Sequence, residues 1–585
     1  MFKQAKRREF SLMNLAHTPF SYFGSYLSLS YQESENDSEN GLFLRSLHGK
    51  SKPHMNSLKL IPLKNGIPVD YSYTADYNLI TLTFEGGDIS ICFDGESKLL
   101  VKGTGEKIGF RLDTQPLYNF EYNYLLGKDD RKFCIVNSYK NLTKYLIFCS
   151  KGSVDLKQNI HIDETGSMNK ADNISIIEVS SIKDEFLCVI QDIPTHVLKP
   201  DWKEYDFEQS LEKSRENFQS FCDKQLAVPA AYQAALKPAA YITWSSIVRP
   251  EGYLKRYTMY ASNHHFPGAW SWDHCFNAVA LAGVDNDLAW DQMAVLFDHQ
   301  DELGQIPGSV SDSTIRWNFT KPPVQGLFFS KMMKKMDFSP EQLEQVYHYV
   351  SKQVNFYSSY KDSNEDGICE YHHGNDSGQD NSTVFNSPIV VDSPDLTAFL
   401  IKAMDMLSEV ASKLGMGSEQ TKWQEKADHL TRAFCAYFIK DNLPVARITA
   451  NGEIIESYSI LPLISIILEN RLPEEIKENI IELLSSERYL TQWGIATEAI
   501  DSPLYENDAY WRGAIWGPTT LLVVDALEGC GKRGLAMEIA DRYCRLTSKS
   551  GFPENFNAIT GEPLRDRSFA WTASTFLYLG AKLVK

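Results

Sequence analysis

Two acidic loops in the second half of the sequence carry residues suited to acid–base catalysis. Asp376 and Asp380 lie four residues apart among glycines and hydrogen-bonding side chains, and Glu554 follows Pro553 in a loop rich in aromatic residues. A carboxyl group with apolar neighbours has a raised pKa, so it can exchange a proton near neutral pH. Glycoside hydrolysis needs two carboxyl groups, about 6.5–9.5 Å apart in inverting enzymes and about 5–5.5 Å apart in retaining ones. The two aspartates could instead cap turns.

Tryptophans are concentrated around the same loops. Six of the eleven lie in or beside the segments 264–277, 304–326, 370–388, 506–518 and 551–571, whereas core tryptophans would be spread over helix faces. Long loops in a compact domain are usually functional. Indole rings stack on sugars while neighbouring polar groups bind hydroxyls, so the clustering favours a sugar pocket. For any single tryptophan, a place in the core is the alternative.

The composition excludes several classes of protein. Apolar residues make up 43% and charged residues 23%, which indicates a globular chain. The formal net charge of −18 argues against nucleic acid and anionic membranes as partners. No apolar stretch approaches the roughly 20 residues of a membrane span, and no apolar signal-peptide region follows the basic start. The ten cysteines form no CxxC pair, which predicts reduced thiols in a cytoplasmic protein.

The sequence pattern divides the chain into a strand-rich first part and a helical second part. Residues 79–84 and 89–93 alternate apolar and polar side chains around the turn EGGD, which indicates a hairpin, and further short runs predict an antiparallel β-sandwich over residues 1–205. Residues 206–230 read as a helical linker. Helices then follow from 231 to 585, two of them opened by Ser339-Pro340 and Ser393-Pro394. Because no fixed repeat is visible, a closed α/α toroid is preferred over a solenoid.

Five segments, taken together, resemble glycoside hydrolase family 63 and its close relatives. They are WSWDHCFNA (270–278), DSGQDNS (376–382), YWRGAIWGP (510–518), PENFNAITGEP (553–563) and FAWTAS (569–574). The resemblance covers roughly residues 230–585, in the order of the family, which includes processing α-glucosidases and mannosylglycerate hydrolase relatives. It implies an (α/α)6 barrel after an N-terminal β-sandwich, and hydrolysis with inversion.

The resemblance also implies roles for individual residues. Asp380 matches the general acid of the family and Glu554 its general base, while Trp511, Arg512 and Trp516 match a stretch that lines the −1 subsite. Asn381 stands where the eukaryotic processing enzymes have Asp, which argues against a glycoprotein-processing role. The predicted substrate-binding residues are Trp270, Trp272, Asp273, Gln325, Asp376, Trp511, Arg512, Trp516 and Trp571.

No metal or cofactor is required by this interpretation. Asp362, Asn364 and Asp366 place oxygen ligands at alternating positions, like the start of a calcium loop. His373 occupies the twelfth position, where such a loop needs a bidentate Glu, so a solvated turn is favoured over structural calcium. The neighbouring histidine pairs lack the spacing of a zinc site.

The predicted function is that of an exo-acting, inverting glycoside hydrolase. Its substrate would be an α-glycosidic bond, α-glucosidic in the first instance, of a small oligosaccharide or glycoside. Two alternatives stay open: an inverting sugar phosphorylase and a non-catalytic carbohydrate-binding protein. A phosphorylase needs an anion pocket and no general base, so Glu554 favours water as the nucleophile.

Overall fold

The computed structural model describes residues 6–7, 12–34, 40–48, 56–114, 120–159, 174–193, 199–386 and 389–584. The chain forms two compact units. The first contains Met1–Asp223, Trp244–Gly268 and Ser311–Thr314, and the second contains Lys224–Thr243, Ala269–Val310 and Ile315–Lys585. The domain boundaries expected at residues 205 and 230 remain a prediction.

The first unit is built from two large sheets. One has the strand order Lys6–Arg7, Ser72–Ala75, Ile80–Phe84, Gly87–Phe93, Lys98–Thr104, Glu185–Ile193, Thr143–Lys151, Arg131–Ser138 and Tyr122–Lys128. The other has the order Ser153–Asn159, Ile174–Ser180, Ile108–Asp113, Asn56–Lys64, Gly41–Ser46, Leu27–Gln32 and Phe20–Ser21, with Ile67–Pro68 beside Asn56–Lys64. Apart from the parallel pair at Lys6–Arg7, neighbouring strands are antiparallel. A short pair, Ile247–Val248 with Thr258–Met259, belongs to the same unit.

The hairpin predicted near the N-terminus is confirmed. Ile80–Phe84 and Gly87–Phe93 pair with Ile80 opposite Ile91, so the apolar residues of both strands face the same core. Gly86 turns the chain at φ +88°, a conformation that costs glycine little. The helix Phe207–Asp223 covers this sheet by packing on the strand Gly87–Phe93.

The second unit consists of helices joined by long loops. Its α-helices are Gln233–Ser245, Asp273–Leu281, Asn286–Ala294, Gln325–Met332, Pro340–Tyr360, Pro394–Lys413, Gly417–Phe438, Glu474–Ser485, Gly517–Gly529, Arg533–Ser550 and Ala570–Val584. Short 3-10 segments lie at Ala230–Tyr232, Phe297–His299, Gly374–Ser377, Thr383–Phe385 and Leu461–Arg471. Two-residue strands pair within the loops at Ala269–Trp270, Ser309–Val310 and Ile315–Arg316, at Glu370–Tyr371, Val391–Asp392 and Arg447–Ile448, at Ile439–Lys440 and Leu443–Pro444, and at Asn555–Phe556 and Pro563–Leu564.

The helices form an inner and an outer set. Asp273–Leu281 is buried on every side, and Gly517–Gly529 and Ala570–Val584 are buried over almost their whole lengths. Outer helices such as Pro340–Tyr360 bury only one face, as expected of an amphipathic helix at a surface. The last helix packs against Asp273–Leu281, so the end of the chain closes on the first inner helix of the loop-rich region.

Both predicted helix starts are confirmed, and one of the two serines also caps its helix with its side chain. Ser339 caps Pro340–Tyr360: its hydroxyl accepts the Gln342 N–H at 3.2 Å, and the Gln342 side chain accepts the Ser339 N–H at 2.9 Å. Ser393 stands at the N-cap of Pro394–Lys413 as predicted, but its hydroxyl donates to the buried Asp395 carboxylate and caps no backbone group.

All ten cysteines lie in the described ranges, and none of them forms a disulfide bond. Among the described residues, no helix combines the length and the apolar character that crossing a bilayer requires. The cytoplasmic location predicted from the cysteines remains a prediction.

Candidate active site

Four of the predicted site residues lie at the N-terminal ends of inner helices of the second unit. Asp273 is the first residue of Asp273–Leu281, and Trp272 stands just before it. Trp516 precedes the helix Gly517–Gly529, and Trp571 is the second residue of Ala570–Val584. The buried helices therefore fix these side chains to a rigid frame, while the connecting loops supply Asp380 and Glu554.

Asp380 is held by a lysine that sequence analysis did not single out. Its Oδ1 accepts a hydrogen bond from Lys321 Nζ at 2.8 Å. The Asp380 side chain is 34% exposed and that of Lys321 only 5%, so the cation lies behind the carboxylate and the carboxylate faces open space. The loop needs glycine at Gly378, where φ is +75° and a Cβ would meet the Trp272 ring at 2.7 Å.

Glu554 is enclosed. It is 2% exposed, its backbone N–H donates to the carbonyl of Asp566 at 2.7 Å, and its own carbonyl accepts the Trp571 indole N–H at 3.2 Å. Its Oε1 accepts the Tyr510 hydroxyl at 2.9 Å. Burial raises the pKa of Glu554 to about 8; the charges of Asp566 and Asp273 act in the same direction, and the Tyr510 hydrogen bond opposes them. A carboxyl group with this pKa is suited to proton transfer near neutral pH.

Tyr510 brings the acidic groups into one site. Besides its hydrogen bond to Glu554, it interacts electrostatically with Asp380 and Asp273, and burial raises its pKa. Its backbone has φ +63°, an uncommon conformation for a bulky residue and one that concentrates at functional sites. Its carbonyl accepts the Trp516 indole N–H at 3.1 Å, which fixes the strained turn against the aromatic cluster.

Asp273 is a third carboxyl group near the site, and it is buried like Glu554. It is 6% exposed, and burial raises its pKa to about 7, with the charge of Asp380 adding to the shift and that of Lys321 opposing it. Asp273 therefore lies near enough to Asp380 and Lys321 for their charges to act on its carboxyl group.

Four of the predicted tryptophans form one cluster. Trp511 and Trp516 stack at 3.8 Å with an angle of 7° between their planes. Trp571 meets Trp516 edge-on at 5.5 Å and Trp272 at 5.7 Å. Trp516 has no exposed surface, so its position does not fit the predicted contact with a sugar ring. Its ring supports Trp511 instead.

Arg512 connects two loops beside the proposed acid. Its Nε donates to the Asn381 carbonyl at 2.9 Å, and its Nη2 donates to the Asn386 side chain. Asn381 completes the connection, since its side chain donates to the Ala509 carbonyl and accepts the Trp511 N–H, each at 2.9 Å. The arginine therefore braces the backbone next to Asp380 in this structure.

The remaining predicted residues differ in exposure. Gln325 is fully buried and accepts the Gln353 amide at 2.9 Å, so a direct contact with substrate does not fit its position. Asp376 is 4% exposed, and its carboxylate accepts hydrogen bonds from the Thr320 N–H at 3.2 Å and from Lys361 Nζ at 3.3 Å. These bonds make Asp376 a structural support of the loop. Trp270 is half-buried in the short strand Ala269–Trp270, three residues before the first inner helix, and pairs with Ser309 through its backbone.

The candidate calcium loop is internally hydrogen-bonded. The carboxylate of Asp362 accepts the N–H groups of Asp366 at 3.1 Å and Gly367 at 3.0 Å, and Asn364 donates to Asp366 at 2.9 Å. These are the contacts of a self-supporting turn. The preference for a solvated turn over structural calcium remains a prediction.

Within the described ranges, one group of residues has metal-ligand spacing, and it lies in the first unit: His48, Asp192 and Glu251. Arg249 Nη2 already lies 2.9 Å from Asp192 and 2.7 Å from Glu251. The group is therefore an ion-pair cluster.

Comparison with known proteins defines the class of the second unit. Residues 266–572 match the family model described as the mannosylglycerate hydrolase MGH1-like glycoside hydrolase domain. The match covers more than half of the chain, so the chain belongs to this family and is a glycoside hydrolase. The expected membership of glycoside hydrolase family 63 is confirmed.

The individual relatives share low sequence identity with this chain. A mannosylglycerate hydrolase of Thermus thermophilus is 29% identical over 77 residues, which are 13% of this chain and 19% of the relative. A bacterial glucoamylase complexed with acarbose has a TM-score of 0.61 at 12% identity, covering 100% of this chain and 95% of its own. The GH63 mannosylglycerate hydrolase from Thermus thermophilus in complex with glucose has a TM-score of 0.50 at 20% identity, covering 58% and 98%. These likenesses confirm the predicted fold, an antiparallel β-sandwich followed by an (α/α)6 barrel.

Proposed function

We propose that this glycoside hydrolase is an exo-acting, inverting enzyme that cleaves an α-glycosidic, in particular α-glucosidic, bond of a small oligosaccharide or glycoside. Asp380 is the general acid and Glu554 the general base. The observation that carries the proposal is the position of Tyr510, hydrogen-bonded to Glu554 at 2.9 Å and within range of the charge of Asp380. This position of Tyr510 supports a single site to which two different loops contribute one carboxyl group each.

The two environments suit two different roles. Asp380 is partly exposed, so it can reach the glycosidic oxygen of a bound substrate and protonate the leaving group. Glu554 is enclosed, so a water molecule beside it would be shielded from solvent. In the reaction, the ionised Glu554 removes a proton from this water while the water oxygen attacks the anomeric carbon from the opposite side.

Inversion leads to a first testable result. Because water attacks opposite to the leaving group, hydrolysis of an α-glycoside should release the β-anomer. Proton NMR during the first minutes, before mutarotation, measures the anomer directly. Release of the α-anomer would mean retention and would make one of the two carboxylates a nucleophile.

The exo mode leads to a second testable result. Long loops with bulky aromatic residues surround the site, so we expect a closed pocket that admits one chain end. A long α-glucan should then lose viscosity slowly relative to the amount of monosaccharide released. A rapid fall in viscosity with little free monosaccharide would contradict the pocket.

A glycosylglycerate is a second candidate substrate. The matching family model and the Thermus thermophilus relative are both described by mannosylglycerate hydrolysis. A panel of α-linked disaccharides together with mannosylglycerate would rank the candidates. Running each assay with and without inorganic phosphate separates hydrolysis from phosphorolysis, because only a phosphorylase would release a sugar phosphate.

A further inference from the structure

Lys321, which lies behind the proposed acid Asp380, has no role in the acid–base mechanism proposed above. Lys321 is buried, and its ammonium makes three hydrogen bonds: to the Asn375 carbonyl at 2.8 Å, to Asn375 Oδ1 at 2.7 Å and to Asp380 Oδ1 at 2.8 Å. An ammonium has three N–H donors, so all of them are used. Lys321 has no donor left for a substrate, and its cationic head is fixed in position.

The backbone of Lys321 is fixed as well. Its carbonyl accepts the buried Tyr357 hydroxyl at 2.8 Å, and Pro322 follows it, which restricts its backbone to extended conformations. The ammonium also lies 5.7 Å from the centre of the Phe319 ring. The Lys321 side chain is therefore held in one position, and it contacts Asp380 through one hydrogen bond.

We infer that Lys321 is a positioning residue that holds Oδ1 of Asp380 and thereby sets which oxygen of the proposed acid carries the proton and how readily it does so. Oδ1 accepts an N–H from a cation and is occupied. The proton that passes to the leaving oxygen therefore resides on Oδ2, the other oxygen of this 34% exposed side chain. The inference rests on the proposed role of Asp380.

The same contact opposes protonation. A cation in contact with a carboxylate favours its ionised form. The other titratable groups that face Asp380 are Asp273 and Tyr510, which both sense its charge. Lys321 is the cation whose ammonium donates a hydrogen bond to Asp380. Its removal should therefore make Asp380 easier to protonate.

The test is the dependence of kcat/KM on pH. In Lys321→Met, the limb of the profile set by Asp380 should move to higher pH by at least about one unit, the usual size of an ion-pair effect. The limb set by Glu554 should stay in place. Lys321→Arg keeps the charge and should leave both limbs near their original positions. If Lys321→Met does not fold, Lys321→Gln removes the charge and retains an N–H donor.

A matched control lies on the next helix. Lys331 Nζ makes a 2.6 Å ion pair with Asp525, whose side chain is 5% exposed, far along Gln325–Met332 from the site. Lys331→Met should lower the melting temperature and leave the pH profile unchanged. The inference is overturned if both limbs stay in place in the folded Lys321 variants, or if Lys321→Arg moves a limb as far as Lys321→Met. A fully active Asp380→Asn would instead overturn the proposed function.

Discussion

Replacing Glu554 by Gln should lower kcat at least about a hundredfold and, at alkaline pH, make the protein more stable. The loss of activity follows from the loss of the proposed general base. The gain in stability follows from burial, because the pKa of the folded carboxyl group is raised from 4.5 to about 8. The two effects have opposite signs, which a merely structural residue would not produce.

The pH window of the stability effect follows from these values. A folded-state pKa above the unfolded one means that the folded state favours the protonated form. The stability that protonation provides is complete below about pH 4.5 and is lost as the pH rises through about 8. Glutamine keeps an oxygen for the Tyr510 hydrogen bond and has no proton to lose, so the variant escapes this loss.

Chemical unfolding at pH 5 and pH 9 measures the effect. The two proteins should differ little at pH 5, and Glu554→Gln should be more stable by roughly 1–3 kcal/mol at pH 9. Glu562→Gln is a matched control, since Glu562 is exposed in the same hairpin loop and should change neither activity nor stability. A stability difference that stays constant with pH would contradict the buried, raised-pKa carboxyl group.

Local patterns predicted the parts of the fold that depend on neighbouring residues. The hairpin around Gly86 and the cap at Ser339 were readable because alternation and capping act over a few residues. At Ser393 the same signal gave the wrong partner. The buried Asp395 lies within reach of that hydroxyl, and its carboxylate accepts the hydrogen bond.

The site was readable in its residue types but not in its contacts. Lys321 and Asp380 are 59 residues apart, and nothing in the sequence around Lys321 shows that its ammonium reaches that carboxylate. The left-handed backbone of Tyr510 is likewise invisible in sequence, since tertiary contacts over-determine a conformation that local propensity disfavours. Trp516 and Gln325 show the converse: residue type suggested a ligand contact, and packing enclosed both side chains.

The chemical role of Asp380 can be separated from that of Glu554 by the leaving group. Asp380→Asn cannot donate a proton to the departing oxygen, so kcat on an alkyl glycoside should fall at least about a hundredfold. A leaving group that needs no proton, such as fluoride in an α-glycosyl fluoride or a dinitrophenolate, should restore much of the lost rate. Glu554→Gln should be slow on both kinds of substrate, because water still requires a base.

The neighbouring Asp376 provides the matched control for this experiment. It lies four residues before Asp380 in the same loop, but its carboxylate is engaged by the Thr320 N–H and by Lys361 Nζ at 3.3 Å. Asp376→Asn should weaken the loop and lower the melting temperature, while the ratio of rates on activated and unactivated substrates stays as in the parent enzyme. If Asp380→Asn shows the same unchanged ratio, the proton donor is another group, and the buried Asp273, with a pKa of about 7, becomes the first to test because it shares the site.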